Sequence, residues 1–68
     1  MTKRKGFGAK LKSLRKAQKL SIDTAARDIG ISARSLRAYE QETNTPKDDT
    51  KKALCDYYGQ GVESIFFS

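Results

Sequence analysis

Two arginines, Arg34 and Arg37, stand three positions apart in a segment whose apolar residues, Leu36 and Tyr39, belong to the opposite face of a helix. With Ala33 and Ala38 they form an outer surface that is short, narrow and cationic. The chemistry open to such a surface is recognition of acceptors, because a guanidinium is a planar fork of donors that stays charged at any physiological pH.

Catalysis has no comparable foothold. The chain has no histidine, so the common general base near neutral pH is missing. Asp48 and Asp49 sit side by side as helix-start residues, and Gly6-Phe7-Gly8 is a partial glycine pattern with no strand before it, unlike a nucleotide-binding loop. The single cysteine, Cys55, has no disulfide partner, and without histidine no usual zinc constellation can be assembled. In the context Lys52-Ala53-Leu54-Cys55 it reads as a small buried hydrophobe. The expectation is a protein that is not an enzyme and that carries no cofactor and no metal.

Charge distribution points the same way as the arginines. Eight bases and no acid lie between Met1 and Lys19, whereas Glu40 to Ser68 carries six acids against three bases. One end of the molecule therefore suits a polyanion better than the other. The bland alternative for the basic run is a solvated lysine-rich helix that aids solubility.

These residues must be positioned by little more than one modest core, since 68 residues make a single domain without disulfide help. Residues 1–6 read as a basic flexible arm able to grip phosphates, and residues 7–68 as one all-α domain of five helices. Phe7, Leu11 and Leu14 fall on one stripe and predict a first helix to about Gln18. Ser21 is a good N-cap for a second helix over Ile22 to Asp28, with Asp23 at the positive end of its dipole and Ile22, Ala25, Ala26 and Ile29 inward. Gly30 can take the left-handed conformation that ends it, and Ser32 caps a third helix running to about Gln41. Pro46 closes the loop Gln41 to Pro46. A fourth helix spans about Lys47 or Asp48 to Tyr58, and a short fifth lays Val62, Ile65 and Phe66 over the core. No apolar stretch approaches the roughly 18 residues that cross a bilayer, and the N-terminus lacks the apolar middle of a secretion signal, so a cytoplasmic location is expected.

The segment Ser21 to Glu40 thus reads as two short helices joined by a tight turn, with Ala26, Gly30 and Leu36 at the offsets that let them cross closely. That is the pattern of a helix-turn-helix, which puts its second helix into the major groove of DNA. In order and spacing the run Leu11-Lys12-Ser13-Leu14-Arg15, then Leu20-Ser21, Ala26, Ile29-Gly30-Ile31-Ser32, Leu36, Tyr39-Glu40, Pro46 and Val62-Glu63-Ser64-Ile65-Phe66 resemble the Cro and lambda-repressor helix-turn-helix family over nearly the whole chain.

The resemblance implies a recognition helix at residues 32–41 with Ala33, Arg34, Arg37 and Ala38 at its base-facing positions. An arginine paired bidentately with guanine O6 and N7 is worth roughly 1 to 3 kcal/mol of discrimination. Arg34 and Arg37 are the expected readers, each with a phosphate contact as its alternative. Ser32, Ser35, Thr43 and Asn44, with Lys3, Arg4 and Lys5 of the arm, are the expected phosphate contacts, and Lys10 and Lys47 are weaker candidates. The family also pairs the arginine at Arg15 with the glutamate at Glu40, a structural role. Two positions depart from the pattern. Ile22 stands where many relatives carry a phosphate-bonding glutamine, and Glu42, where many carry glycine, brings a negative charge close to where DNA would lie.

Two functional classes follow. In the first, the chain is a sequence-specific regulator of a phage or other mobile element that binds a double-stranded operator, occludes a promoter and pairs as a homodimer through a small patch, with Tyr57, Phe66 and Phe67 as contact candidates and a core role as the alternative for Phe66 above all and for Phe67. In the second it is an antirepressor, modulator or antitoxin-like module that docks on a partner repressor or toxin through the same fold.

Overall fold

A computed structural model describes residues 6–66 of the chain. The expected arm residues Lys3, Arg4 and Lys5 and the candidate contact Phe67 lie outside the described residues. Among the described residues there are five helices and no strand: α1 (Phe7–Ala17), α2 (Ile22–Ile29), α3 (Ala33–Glu40), α4 (Asp48–Tyr58) and α5 (Val62–Phe66). Each boundary falls within a residue or so of the position that periodicity and capping residues imply.

The core is built from one to three residues of each helix. Leu11 of α1, Leu36 of α3 and Leu54 of α4 are fully buried, and Phe7, Ala25, Ala26, Cys55, Tyr58 and Ile65 complete the cluster. Ala25 and Ala26 matter by being small. Their methyls allow α2 and α3 to pack at close range, and larger side chains there would push α3 off the core.

The turn between those helices is fixed at both ends. Gly30 stops α2 at φ 98°, a left-handed conformation that glycine adopts without steric cost, and the Ile31 N–H donates back to the Ala26 carbonyl at 3.0 Å. Ser21 Oγ accepts from the Thr24 N–H at 3.1 Å, and Ser32 Oγ from the Ser35 N–H at 3.0 Å, so both helices start on a capped first turn.

Two other left-handed positions carry side chains. Lys19 (φ 59°) follows α1 and Glu42 (φ 60°) follows α3. Each costs about 1 kcal/mol relative to glycine at the same angle. Residue type gives no warning of either, since lysine and glutamate ordinarily continue a helix.

Candidate nucleic-acid interface

Successive helical residues turn by about 100°, so Arg34, two before the buried Leu36, lies about 160° from it, and Arg37, one after, about 100°. Arg34 therefore points straight away from the core and Arg37 to its flank, and both are exposed. The other two expected base-facing residues are more covered: Ala33 packs partly against the core, and Ala38 is half-buried. The outward surface of α3 is thus dominated by Arg34.

The expected phosphate-contacting hydroxyls are partly committed within the protein. Ser32 Oγ donates to Ser35 Oγ at 3.0 Å, and Thr43 Oγ1 donates to the Ala38 carbonyl at 3.3 Å. Ser32, Thr43 and Asn44 are exposed and Ser35 half-buried, and all four lie at the two ends of α3. Lys47, exposed, is the N-cap of α4. Lys10 turns to the other side of α1, where its ammonium donates to the Ser64 carbonyl of α5 at 2.8 Å.

The dimer candidates have internal partners as well. Tyr57 donates its hydroxyl to Asp28 at 2.8 Å and so ties α4 to α2. Phe66 stacks at a tilt on Phe7 with ring centroids 5.3 Å apart, and the Lys51 ammonium sits 5.4 Å from its ring centroid.

Behind α3 lies an ion pair. Arg15 Nε donates to Glu40 Oε2 at 2.8 Å and its Nη2 to Oε1 at 3.0 Å, while Nη1 donates to the Leu20 carbonyl at 2.9 Å. The two side chains are 10% and 5% exposed. The bond to the Glu40 carboxylate raises the Arg15 pKa further, against the opposing effect of burial. Three of the five guanidinium N–H donors of Arg15, and its charge, are thus engaged within the protein. Beside the pair, the Tyr58 hydroxyl is buried with no hydrogen-bond partner among the described residues. Burial, together with the charge of Glu40, pushes its pKa up to about 12.

Glu42 does not present its charge where the sequence suggests. Its carboxylate folds back onto α1, where Oε2 accepts the Gly8 N–H at 3.0 Å. That N–H is one of the orphan donors of a helix whose own N-cap, Gly6, has no side chain to offer. The two glycines of Gly6-Phe7-Gly8 have different explanations, and Gly6 is at φ 133°, a conformation that residues with a Cβ rarely adopt. A Cβ at Gly8 would overlap the Glu40 carbonyl oxygen and stand 2.8 Å from Glu42 Cγ, so Gly8 marks close approach of α1 to the end of α3.

One feature of the interface has no local sequence signal. A cleft of about 200 Å³ opens between α1, α2 and the end of α3, lined by Lys12, Arg15, Ile22, Arg37, Glu40 and Gln41. Elsewhere among the described residues, no three or more His, Cys, Asp or Glu group as metal ligands, and no helix is long and apolar enough to cross a membrane.

The chain is 34% identical over 59 residues to the cryptic phage CTXphi transcriptional repressor RstR of Vibrio cholerae, an alignment that takes in 87% of this chain and 53% of that protein. The chain therefore spans about half the length of this curated relative. No solved structure matches it. The helix-turn-helix domain profile matches residues 7–64. That match runs from α1 into α5 and through the Gly30 turn that sets α3 against α2, so the chain belongs to the helix-turn-helix domain family, in its Cro and lambda-repressor-like form.

Proposed function

We propose that the chain binds an operator in double-stranded DNA by placing α3 in the major groove, and that it represses transcription of a phage or other mobile element by occluding a promoter. The observation that carries this reading is the outward face of α3. Arg34 stands on it opposite the core, exposed, on a helix started by the Ser32 cap and set against α2 by the Gly30 turn. A rigid rod that presents an arginine fork is what bidentate recognition of a guanine edge requires. Family membership and a relative described as a phage transcriptional repressor support the same reading.

In this reading Arg34 reads a base edge, Ala33 and Ala38 offer methyl surface beside it, and Ser32, Ser35, Thr43 and Asn44 hold phosphates at either end of α3. The departure at Glu42 weighs less against operator binding, because its carboxylate is turned onto the Gly8 N–H of α1.

Footprinting on the DNA that flanks the chain's own gene tests the proposal. Protection of an inverted repeat overlapping a promoter, with affinity that falls steeply as salt rises, is the expected result. Binding that appears only when a neighbouring regulator is added would replace the operator-binding reading with the docking one.

A further inference from the structure

We propose that Lys12 and Arg37 together hold one phosphate of the bound duplex at the cleft between α1, α2 and α3, which makes Arg37 a positioning residue for the DNA backbone and not a reader of base edges. The assignment rests on the DNA-binding reading above and names the ligand chemistry of one part of that surface.

The cleft has charge without a protein counter-charge. Of its four charged side chains, three basic and one acidic, Arg15 and Glu40 neutralise each other through two hydrogen bonds. What remains is the charge of Lys12 from α1 and Arg37 from α3, both exposed and neither in an ion pair among the described residues. Gln41, also on the lining, adds an uncharged amide donor. Asp23, the acid in the first turn of α2, is not part of the lining. Two cations converging from different helices on an open, polar-floored cleft suit an anion with several acceptor oxygens.

Direction on the helix separates the two arginines. Arg34 points away from the core, whereas Arg37 lies on the stripe that continues through Glu40 and Gln41 toward α1, since residues three and four apart share a helical face. A helix lying in the groove turns its outermost face to the base edges and its flanks to the phosphate ridges. Arg37 is on a flank.

The test uses the full chain and a duplex pool with a randomised centre, selected separately with wild type, Arg34→Ala, Arg37→Ala, Arg37→Lys and Lys12→Ala. Each selected site is then titrated by anisotropy across a salt series. All four substitutions are at exposed positions, and circular dichroism checks that each variant is folded.

Arg37→Ala is expected to select the same sequence as wild type, to bind it and its single-mismatch variants about tenfold more weakly across the board, and to lower the salt slope by about 1. Lys12→Ala should do the same. Arg37→Lys should keep most of the affinity, because a phosphate accepts a point charge where a bidentate base contact does not. The assignment is overturned if Arg37→Ala relaxes one position of the selected sequence at unchanged salt slope, or if Arg37→Lys is no better than Arg37→Ala. Those results would leave the operator-binding reading standing. A wild-type chain with no salt-dependent affinity for any duplex would overturn both.

Discussion

Glu42 caps a helix that begins thirty-five residues before it in the chain: its carboxylate accepts the Gly8 N–H at 3.0 Å, from a backbone held at φ 60°. One residue thus pays a conformational cost to satisfy the start of α1 and to fix that helix against the end of α3. Its negative charge also sits at the positive end of the α1 dipole.

Removing the carboxylate separates the two effects. Glu42→Ala keeps the left-handed strain and loses the cap, so it should destabilise by about 1 to 2 kcal/mol. Glu42→Gly loses the same cap but relieves the strain, and should fall between wild type and Glu42→Ala. Urea midpoints measured at one pH and salt concentration check the order. A glycine variant less stable than the alanine variant would contradict the left-handed assignment.

Gly8→Ala has no compensating gain. The added methyl meets the Glu40 backbone carbonyl, which cannot move without shifting α3, and overpacking of this kind costs about 3 kcal/mol or more. Thermal unfolding should show a large fall in Tm, far beyond that of Ala9→Gly one position on in the same helix.

The ion pair behind α3 predicts non-additivity. Losing either partner strands a buried charge, so Arg15→Met or Glu40→Leu alone should cost about 3 to 5 kcal/mol, a large share of what so small a domain has. The double variant Arg15→Met/Glu40→Leu removes both charges and should be more stable than either single variant. Arg15→Lys should also be poor, since one ammonium cannot reproduce three donors aimed at Glu40 and the Leu20 carbonyl. A double-mutant cycle in urea reads out the coupling directly.

Tyr58 contributes through its ring and not its hydroxyl. The buried, unpartnered oxygen makes Tyr58→Phe neutral or stabilising by up to about 1 kcal/mol. The pH dependence has a definite sign. In the folded chain the pKa stands at about 12 against an ordinary 10.0, so below pH 10 both states keep the proton and stability is level in this group. Between pH 10 and 12 the unfolded chain ionises first, and stability falls as pH rises. The difference between wild type and Tyr58→Phe should therefore widen over that window, as measured by urea titrations at successive pH values.

What the sequence discloses and what it withholds divide along distance in the chain. Ser21, Gly30, Ser32 and Pro46 act within a few residues of themselves, so the type of each residue announces its job, and the two-helix turn can be placed from them alone. Arg15 and Glu40 are 25 positions apart, and only resemblance to a family links them before coordinates do. Glu42 and Gly8 are 34 apart, and the charge that reads as a hazard for DNA turns out to be bonded to backbone. Lys12 and Gln41 look like free surface residues until α1 and α3 are laid side by side. The left-handed angle at Lys19 has no local sign at all.

In the proposed function, recognition rests most heavily on Arg34. Its exposure and its position opposite Leu36 mean that Arg34→Ala removes no core contact, and the variant should unfold at the same urea concentration as wild type. Against the selected operator it should lose about 1 to 3 kcal/mol, all of it at the base pair that the guanidinium reads. Substituting that one base pair should cost wild type a similar amount and cost the variant almost nothing. Affinity for unrelated duplex, set by phosphate contacts, should change far less. The four-way comparison of wild type and Arg34→Ala on matched and mismatched duplexes measures the coupling between one side chain and one base pair. A coupling near zero would move base reading from Arg34 to another residue of α3.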